Sequence, residues 1–293
     1  MTTPALTLAR PAAADYAELT KPRITATVML TTLVGFVVAS VGAPDARALA
    51  AALVGTGLVA AGASALNMLL ERETDARMHR TRTRPLPAGR LRPADALAFG
   101  AALTGLGLGT LLWLSGLAAA AVAFATWASY LFLYTPLKTR SSLSTIVGAF
   151  PGALPPVIGW AAARGSLEPG ACVLFAILFL WQIPHFLAIA WIYREDYARG
   201  GLPMLPVLDP EGRLTGRQVV ANALALVLVS LAPVAAGLVG GAYLVGASLL
   251  GAGFVAAALR MAVARNVSAA RALFLSSILY LVALCALLLL DRR

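Results

Sequence analysis

Nine apolar stretches leave this chain little choice of fold. A helix that crosses a bilayer needs about twenty predominantly apolar residues, and the sequence has such runs at residues 24–42, 47–70, 95–115, 117–137, 142–162, 169–192, 217–239, 241–260 and 270–290. Hydrophobic residues make up 60% of the chain and charged residues only 12%, which is roughly half the charged share of a soluble domain. We therefore predict an all-α, polytopic membrane protein, a single domain over residues 1–293 in which nine transmembrane helices surround a central cavity.

The distribution of basic residues predicts the orientation of this bundle. If the amino terminus lies inside, only four of the 23 Lys and Arg residues fall on the outer side, namely Arg47, Arg164, Arg292 and Arg293. Cytoplasmic loops are rich in Lys and Arg, so we expect residues 1–20 and the long loops at 71–94 and 193–216 to be cytoplasmic. Residues 1–20 contain acids and no apolar core, so they do not resemble a cleaved signal peptide. The abundance of Ala, Leu and Arg favours a bacterial source and thus the cell (inner) membrane.

The net charge of +10 does not indicate a nucleic-acid partner. The arginines stand between apolar runs, where positive-inside topology accounts for them, whereas nucleic-acid binding calls for a basic face on a soluble fold. The predicted surroundings are the lipid bilayer. Because Cys172 and Cys285 both lie inside apolar runs, we expect neither a disulfide nor a metal pair from them.

The stretch Asn67–Pro87, which reads NMLLERETDARMHRTRTRPLP, holds the densest cluster of polar groups. On a helix, Asn67, Glu71 and Asp75 follow one another at i, i+4 and i+8, so their side chains lie on one face. Amide and carboxylate oxygens in such a row can bind Mg²⁺, which usually completes its coordination with oxygens of substrate phosphates. The row therefore predicts a magnesium-bound phosphate site.

Two arginines continue the same pattern beyond the row. Arg80 and Arg84 repeat the i+4 step, and we expect the helical run to end at Pro85. Guanidinium groups match phosphate oxygens, so both arginines are candidate phosphate ligands. The alternative is a solvated helix end held by ion pairs, which is what charge runs usually are.

This stretch resembles the first signature of the UbiA superfamily of intramembrane prenyltransferases, in which an Asn-Asp-Asp helix precedes an RTxxRPL tail. The segment LTKPRIT at residues 19–25 is similar to the start of the first helix in that superfamily. The chain departs at Glu71, where the family usually has Asp, and glutamate keeps the charge but reaches one methylene further. The resemblance implies a prenyl diphosphate bound through Mg²⁺ to Asn67, Glu71 and Asp75, with its oxygens neutralised by Lys21, Arg80, Arg84 and Lys138.

A second group of unusual residues lies between the middle helices. Residues 134–160 read YTPLKTRSSLSTIVGAFPGALPPVIGW, where Lys138 precedes a Gly- and Pro-rich helix that we expect to be kinked and closely packed. Residues 181–207 read WQIPHFLAIAWIYREDYARGGLPMLPV, and His185 is the only histidine within a predicted span. Pro184 is expected to disturb that helix and let the imidazole point into the bundle. An ionisable side chain in lipid favours a functional role, and an imidazole is a suitable contact for haem.

The loop after the sixth predicted helix narrows the resemblance. Members of the superfamily that make quinones typically carry a second DxxxD there, whereas this chain reads YREDY at residues 193–197 and then GLPMLPV. Together with PHF and YTPLK, this loop resembles the branch of the superfamily that farnesylates haem. That branch implies transfer of a farnesyl group from farnesyl diphosphate to a vinyl group of haem B, with Mg²⁺ as cofactor and haem A synthase as a candidate partner. The residues implied to contact the substrates are Tyr134, His185, Tyr193, Arg194, Glu195 and Asp196.

Two other functions stay open from the sequence. Prenyl transfer to a quinone precursor or another lipophilic acceptor would use the same first signature, and a DxxxD after the sixth helix would have favoured it. A transporter would place ionisable groups near the bilayer midplane, where this chain offers only His185.

Overall fold

Helices make up most of residues 12–293, which are the residues that the computed structural model describes. Residues 1–11 of the predicted cytoplasmic segment lie outside this part. In chain order the helices are α1 (Ala12–Leu19), α2 (Pro22–Ala39), α3 (Ala46–Arg77), α4 (Pro93–Leu114), α5 (Leu117–Ala128), α6 (Thr135–Leu137), α7 (Ser144–Ala153), α8 (Pro155–Arg164), α9 (Pro169–Ile192), α10 (Arg194–Arg199), α11 (Leu205–Leu208), α12 (Arg213–Ser230), α13 (Ala232–Ala235), α14 (Gly241–Ala264) and α15 (Val267–Leu290). A π-helical turn, Ser129–Tyr134, joins α5 to α6. No β-strand occurs among residues 12–293, and the all-α prediction is confirmed.

Nine segments of this described part are long and apolar enough to cross a membrane, as predicted. Their bounds are Pro22–Ala39, Ala46–Arg77, Pro93–Leu114, Leu117–Leu137, Ser144–Arg164, Pro169–Ile192, Arg213–Ala235, Gly241–Ala264 and Val267–Leu290. The clearest departure from the predicted bounds is the second segment, because α3 continues past residue 70 to Arg77. The added turns carry Glu71 and Asp75, so the row of Asn67, Glu71 and Asp75 lies on one continuous helix.

Simple local signals set several helix ends. Proline stands in the first turn of α2, α4 and α9, where its missing N–H costs nothing and its fixed φ suits the helix. Asp45 caps α3 because its Oδ1 accepts the backbone N–H of Arg47 at 2.8 Å and of Ala48 at 3.1 Å. Asn266 caps α15 in the same way through the N–H of Ala269 at 2.8 Å.

The Gly- and Pro-rich fifth segment packs closely on α2. A Cβ at Gly159 would meet the carbonyl oxygen of Thr32, and one at Gly35 would meet the carbonyl oxygen of Pro156. Side chains larger than glycine at these positions would push the two backbones apart. Small residues commonly allow such close approach between membrane helices. The segment breaks at Leu154, between α7 and α8, so the predicted kink is confirmed.

Two local expectations are wrong. The α9 helix runs through Pro184 without interruption, since the surrounding helices bury that residue and hold its turn in place. The helix that carries the polar row ends at Arg77 rather than at Pro85, because Met78 already has an extended backbone. Residues 78–91 form a chain of turns instead.

The polar loops gather at one end of the bundle, and the carboxyl terminus lies at the other. At the latter end, Arg292 donates to the carbonyl oxygens of Val37 at 2.7 Å and Gly42 at 2.6 Å. At the former end, the loop after α3 contacts the loop after α9 through Asp196. The two long loops that the sequence places on one side therefore meet in space.

Candidate active site

The polar row is buried although it lies near the end of a membrane helix. Asn67, Glu71 and Asp75 occupy the last turns of α3, with only 1%, 8% and 1% of their surfaces exposed. Two carboxyl groups and an amide are costly to bury unless they find partners. The partners of these three side chains therefore determine which ligand the row can bind.

Each member of the row receives a hydrogen bond from a cation on another segment. These bonds run from Lys21 Nζ to Asn67 Oδ1 at 2.8 Å, from Lys138 Nζ to both oxygens of Glu71 at 3.0 Å, and from Arg84 Nη1 to Asp75 Oδ2 at 2.7 Å. The amide of Asn67 also donates to Thr135 Oγ1 at 3.0 Å, just after the π-helical turn. The row is thus faced by three cations, which are the groups that a diphosphate would attract.

Lys21 is held in an uncommon backbone conformation. It stands between α1 and α2 with φ 45°, a left-handed value that non-glycine residues rarely adopt. Burial lowers the pKa of Lys21 to about 8, and the carboxylate of Glu71 offsets part of that effect. Backbone strain of this kind concentrates at functional sites, and here it aims an ammonium group at the row.

The pKa of Lys138 is shifted in the opposite direction to that of Lys21. Burial would lower the pKa of Lys138, but nearby oxygens of Tyr134 and Glu71 hold it above its ordinary value. Its ammonium also lies 5.9 Å from the centre of the Tyr134 ring. Lys138 therefore stays charged across the physiological range.

One carboxylate oxygen of the row is left without a partner. Asp75 Oδ1 is buried and accepts no hydrogen bond, while Oδ2 binds Arg84. Buried acceptors are nearly always satisfied, so this oxygen marks a position where a further group would bind. No cluster of three or more His, Cys, Asp or Glu side chains occurs in the described part of the chain. A divalent cation would accordingly be held by the two carboxylates, the amide and oxygens of its substrate, which suits Mg²⁺.

The early end of α3 is what allows Arg84 to reach the row. Nine residues along a continuous helix would separate Arg84 from Asp75 by about 13 Å in rise. Instead the chain turns back after Arg77, and the hydroxyl of Thr81 donates to the backbone oxygen of Asp75 at 2.9 Å. Arg84 thereby contacts the row as predicted, but from a loop rather than from the next helical turn.

Asp196 binds the loop of residues 78–91 to the long loop that follows α9. Its carboxylate accepts the backbone N–H of His79 at 2.8 Å and of Arg80 at 3.1 Å, and it pairs with Arg199 at 2.8 Å. Burial would raise the pKa of Asp196, but the hydrogen bonds from Arg199, Arg80 and His79 hold it below its ordinary value. Asp196 was predicted to contact a substrate, but its carboxylate binds the protein backbone instead.

The side chain of Arg80, unlike those of the other three cations, makes no hydrogen bond to the row. Its guanidinium lies 5.1 Å from the centre of the Tyr193 ring and 5.9 Å from that of Tyr197. It also lines a cavity of about 190 Å³. The other lining residues are Tyr134, Lys138, Ser144, Thr145, Phe186, Ile189, Ala190, Tyr197 and Met204. All of these except Arg80 belong to residues 134–207, so the second unusual part of the sequence builds one cavity wall beside the row.

The remaining predicted contacts are not among the residues that line this cavity. Arg194 stacks on Trp191, with 5.1 Å from its guanidinium carbon to the ring centre, and Glu195 is exposed. His185 is not among the lining residues. Its Nδ1 is 2.7 Å from the hydroxyl of Ser277, and its ring stacks on Trp181 at 4.9 Å. A haem contact through His185 stays a prediction.

Sequence reasoning missed several residues of the site. Thr135 supports Asn67, and Ser144, Thr145 and Tyr197 line the cavity. Only the motif YTPLK gave a signal for Thr135. The cavity hydroxyls belong to ordinary helix and loop sequence and carry no signal of their own.

The comparison with protein families decides to which family this chain belongs. The sequence profile of the UbiA prenyltransferase family matches residues 28–290. The chain belongs to the UbiA prenyltransferase family. Among UbiA relatives, the protoheme IX farnesyltransferase of Solibacter usitatus is 51% identical over 95% of this chain and 98% of its own length. That of Anaeromyxobacter sp. is 43% identical over 97% of both chains.

Solved structures share the fold at lower identity. A digeranylgeranylglyceryl phosphate synthase superposes with a TM-score of 0.80 at 17% identity, covering 95% of this chain and 98% of its own. A UbiA homolog from Archaeoglobus fulgidus, bound to GPP and Mg²⁺, superposes with a TM-score of 0.64 at 15% identity, covering 94% and 99%. The bundle described above is thus the UbiA fold.

Proposed function

We propose that this UbiA protein transfers a farnesyl group from farnesyl diphosphate to a vinyl group of haem B, giving haem O and diphosphate. The observation that carries the proposal is the buried row of Asn67, Glu71 and Asp75, faced by three cations beside a cavity. The choice of farnesyl and haem is supported by relatives at 37–51% identity that are named protoheme IX farnesyltransferase.

Mg²⁺ is the proposed cofactor, held by the oxygens of Asn67, Glu71 and Asp75. The unpartnered Oδ1 of Asp75 and the all-oxygen donor set support this assignment. So does the Mg²⁺ bound with GPP in the homolog from Archaeoglobus fulgidus. When bound, the ion supplies Lewis-acid stabilisation of the charge that develops on the diphosphate.

The three facing cations are proposed to bind the diphosphate and stabilise its departure. As the allylic C–O bond breaks, its electron pair stays with the diphosphate, so negative charge grows where Lys21, Arg84 and Lys138 lie. Fixed charges aimed at developing charge are the largest common source of catalysis. Arg84 offers a planar fork, and Lys138 remains charged because its pKa is raised.

The cavity beside Lys138 is proposed to receive one edge of the acceptor. Apolar side chains of α9 next to it are proposed to keep water away while the farnesyl cation exists. The vinyl group then forms the new C–C bond with its π electrons, and water adds to the remaining carbocation with loss of a proton. That sequence gives the hydroxyethylfarnesyl side chain. Haem B is thus a substrate of the protein.

We propose the bacterial inner membrane as the site of this reaction, with both long loops in the cytoplasm. Haem A synthase, which consumes haem O, is the proposed haem-handling partner. Prenyl transfer to a quinone precursor is the alternative, and no observation on the cavity favours it over haem.

Product analysis tests the function. Purified protein is incubated with haem B, farnesyl diphosphate and Mg²⁺, and the haem products are identified by mass. We expect one product that carries one hydroxyethylfarnesyl group, and no product when EDTA replaces Mg²⁺. Farnesylation of a quinone precursor but not of haem B would contradict the proposal.

A further inference from the structure

We propose that Arg80 binds a carboxylate of the acceptor from a platform of two tyrosines, and that Asp196 is the positioning residue that holds Arg80 there. This inference rests on the proposed function and deepens it, because it names the part of the acceptor that the protein recognises. It also assigns Arg80 to the acceptor rather than to the diphosphate.

The first argument is that the side chain of Arg80, unlike those of the other three cations, is not bound to Asn67, Glu71 or Asp75, although Lys138 lines the same cavity. Lys21, Arg84 and Lys138 each donate to a member of the oxygen row. The guanidinium of Arg80 makes no ion pair with any of residues 12–293, and it lines the cavity instead. Its charge is therefore available to a ligand in that cavity.

The second argument is how the tyrosines orient the guanidinium. Arg80 lies over the rings of Tyr193 and Tyr197, at 5.1 and 5.9 Å from their centres. An aromatic face holds the guanidinium carbon by a cation–π attraction and leaves the N–H donors at its edge free. A planar fork presented in this way matches a carboxylate through two parallel hydrogen bonds.

The third argument is the size and polarity of the cavity. At about 190 Å³ it is smaller than the roughly 300–1,000 Å³ of pockets that enclose a whole ligand. Its polar lining includes Arg80, Lys138, Ser144 and Thr145, whereas Phe186 and Ile189 supply an apolar part. Such a cavity fits one acidic edge of an amphiphilic acceptor. Haem B carries two propionate carboxylates on the edge of its macrocycle opposite the vinyl groups, so the vinyl edge would lie outside the cavity.

The fourth argument is the support that Arg80 receives from the second loop. Asp196 accepts the backbone N–H groups of both His79 and Arg80, and its own carboxylate is fixed by Arg199. A carboxylate can accept from two backbone donors at once, whereas an amide in its place offers one oxygen. Asp196→Asn is therefore expected to loosen the loop that carries Arg80 without changing the oxygen row.

Binding measurements with two acceptors test this inference. Haem B and its dimethyl ester are titrated into wild type, Arg80→Met and Arg82→Met, where Arg82 is an exposed arginine of the same loop. We expect wild type to bind haem B about tenfold or more tightly than the ester, since a hydrogen-bonded charge pair is lost with the ester. Arg80→Met should bind both acceptors equally, with its farnesyl diphosphate affinity within about twofold of wild type, and Arg82→Met should behave as wild type.

Asp196→Asn extends the same measurement. We expect its preference for the acid to shrink at least about threefold while farnesyl diphosphate binding is kept, because the loop backbone loses one of its two acceptor bonds. Arg80→Lys, which keeps the charge but not the fork, should lie between wild type and Arg80→Met.

Three results would overturn the inference. They are a wild type that does not prefer the acid over the ester, an Arg80→Met variant that keeps that preference, and an Arg80→Met variant that loses farnesyl diphosphate binding more than haem binding. Since the first result needs no variant, the inference can be tested even if a variant fails to fold. If wild type farnesylates haem B and its ester equally well, only this inference fails, whereas the absence of any farnesylated haem contradicts the proposed function itself.

Discussion

Lys21 combines features that seldom occur together in one residue. Its backbone is left-handed, its ammonium donates to Asn67, and burial lowers its pKa to about 8. A lysine with this pKa is only partly protonated slightly above neutral pH. A bound diphosphate favours the charged form, so binding of the diphosphate and protonation of Lys21 must be linked.

The pH dependence of farnesyl diphosphate binding follows from this linkage. Below the free-protein pKa of about 8 the affinity should be constant, and above it the affinity should fall by up to about tenfold per pH unit, because the uncharged amine must first take up a proton. Isothermal titration between pH 7 and 9 measures the effect. The variant Lys21→Gln should bind more weakly at pH 7 and lose the inflection near 8. An unchanged inflection in that variant would assign the titration to another group.

Glu71 shows how much of the site a sequence reveals at the scale of residues. The i, i+4, i+8 spacing predicted the buried face correctly, since that periodicity is local. Arg84 was expected from the i+4 pattern, whereas Lys21 and Lys138 were predictable only from the family resemblance, because Lys21 lies 46 residues from Asn67 and Lys138 lies 67 residues from Glu71. Glutamate in place of the usual Asp lets both carboxylate oxygens contact Lys138 at 3.0 Å.

Among the helices, α2 and α8 form the tightest backbone contact relevant to the site. Gly159 faces the carbonyl oxygen of Thr32, and its Cβ would also lie 2.7 Å from the backbone nitrogen of Phe36. Backbone atoms cannot move aside as a flexible side chain does. The α8 helix continues the kinked segment that lines the cavity, so this contact also fixes the cavity wall.

Replacing Gly159 by Ala is expected to separate α2 from α8 and destabilise the protein by about 1–3 kcal/mol, as overpacking does. Gly105→Ala is the matched control, because no atom lies within 4 Å of a Cβ at Gly105. Thermal unfolding in detergent should show a lower Tm for Gly159→Ala and a wild-type or higher Tm for Gly105→Ala. Equal Tm values for both variants would contradict the close contact.

Element boundaries near the site were harder to predict than the elements themselves. Long apolar runs predicted nine spans because membrane thickness imposes their length. The end of α3 was predicted at Pro85 but lies at Arg77, since Asp196 binds the next backbone N–H groups from 117 residues away in sequence. His185 likewise meets Ser277 across a separation of 92 residues. Such tertiary contacts leave no local pattern.

For the molecule as a whole, the buried polar groups and the cavity of the candidate site are concentrated at one end. The oxygen row, its three cations and the cavity all lie where the two long loops meet. The opposite end has the carboxyl terminus, where Arg292 closes on the turn after α2. The positive-inside pattern predicts that the end with the two long loops faces the cytoplasm.

Cysteine labelling in intact cells tests this topology. The native Cys172 and Cys285 are first replaced by Ala, and a single cysteine is then introduced at Thr83 or, as the control, at the exposed Val41. We expect a membrane-impermeant maleimide to label the Val41→Cys variant from outside and the Thr83→Cys variant only after lysis. Labelling of Thr83→Cys in intact cells would reverse the orientation.

The two substrates are assigned to two adjoining parts of this end, with the diphosphate of farnesyl diphosphate on the row Asn67, Glu71 and Asp75 and the carboxylate edge of haem B in the cavity. The most direct test is to measure both affinities on Asp75→Asn, with Glu211→Gln as a control for an exposed acid. We expect Mg²⁺-dependent farnesyl diphosphate binding to weaken more than about tenfold, a loss of at least about 1.4 kcal/mol, while haem B binding stays within about twofold of wild type. Unchanged farnesyl diphosphate binding, or an equal loss for both substrates, would contradict this division of the site.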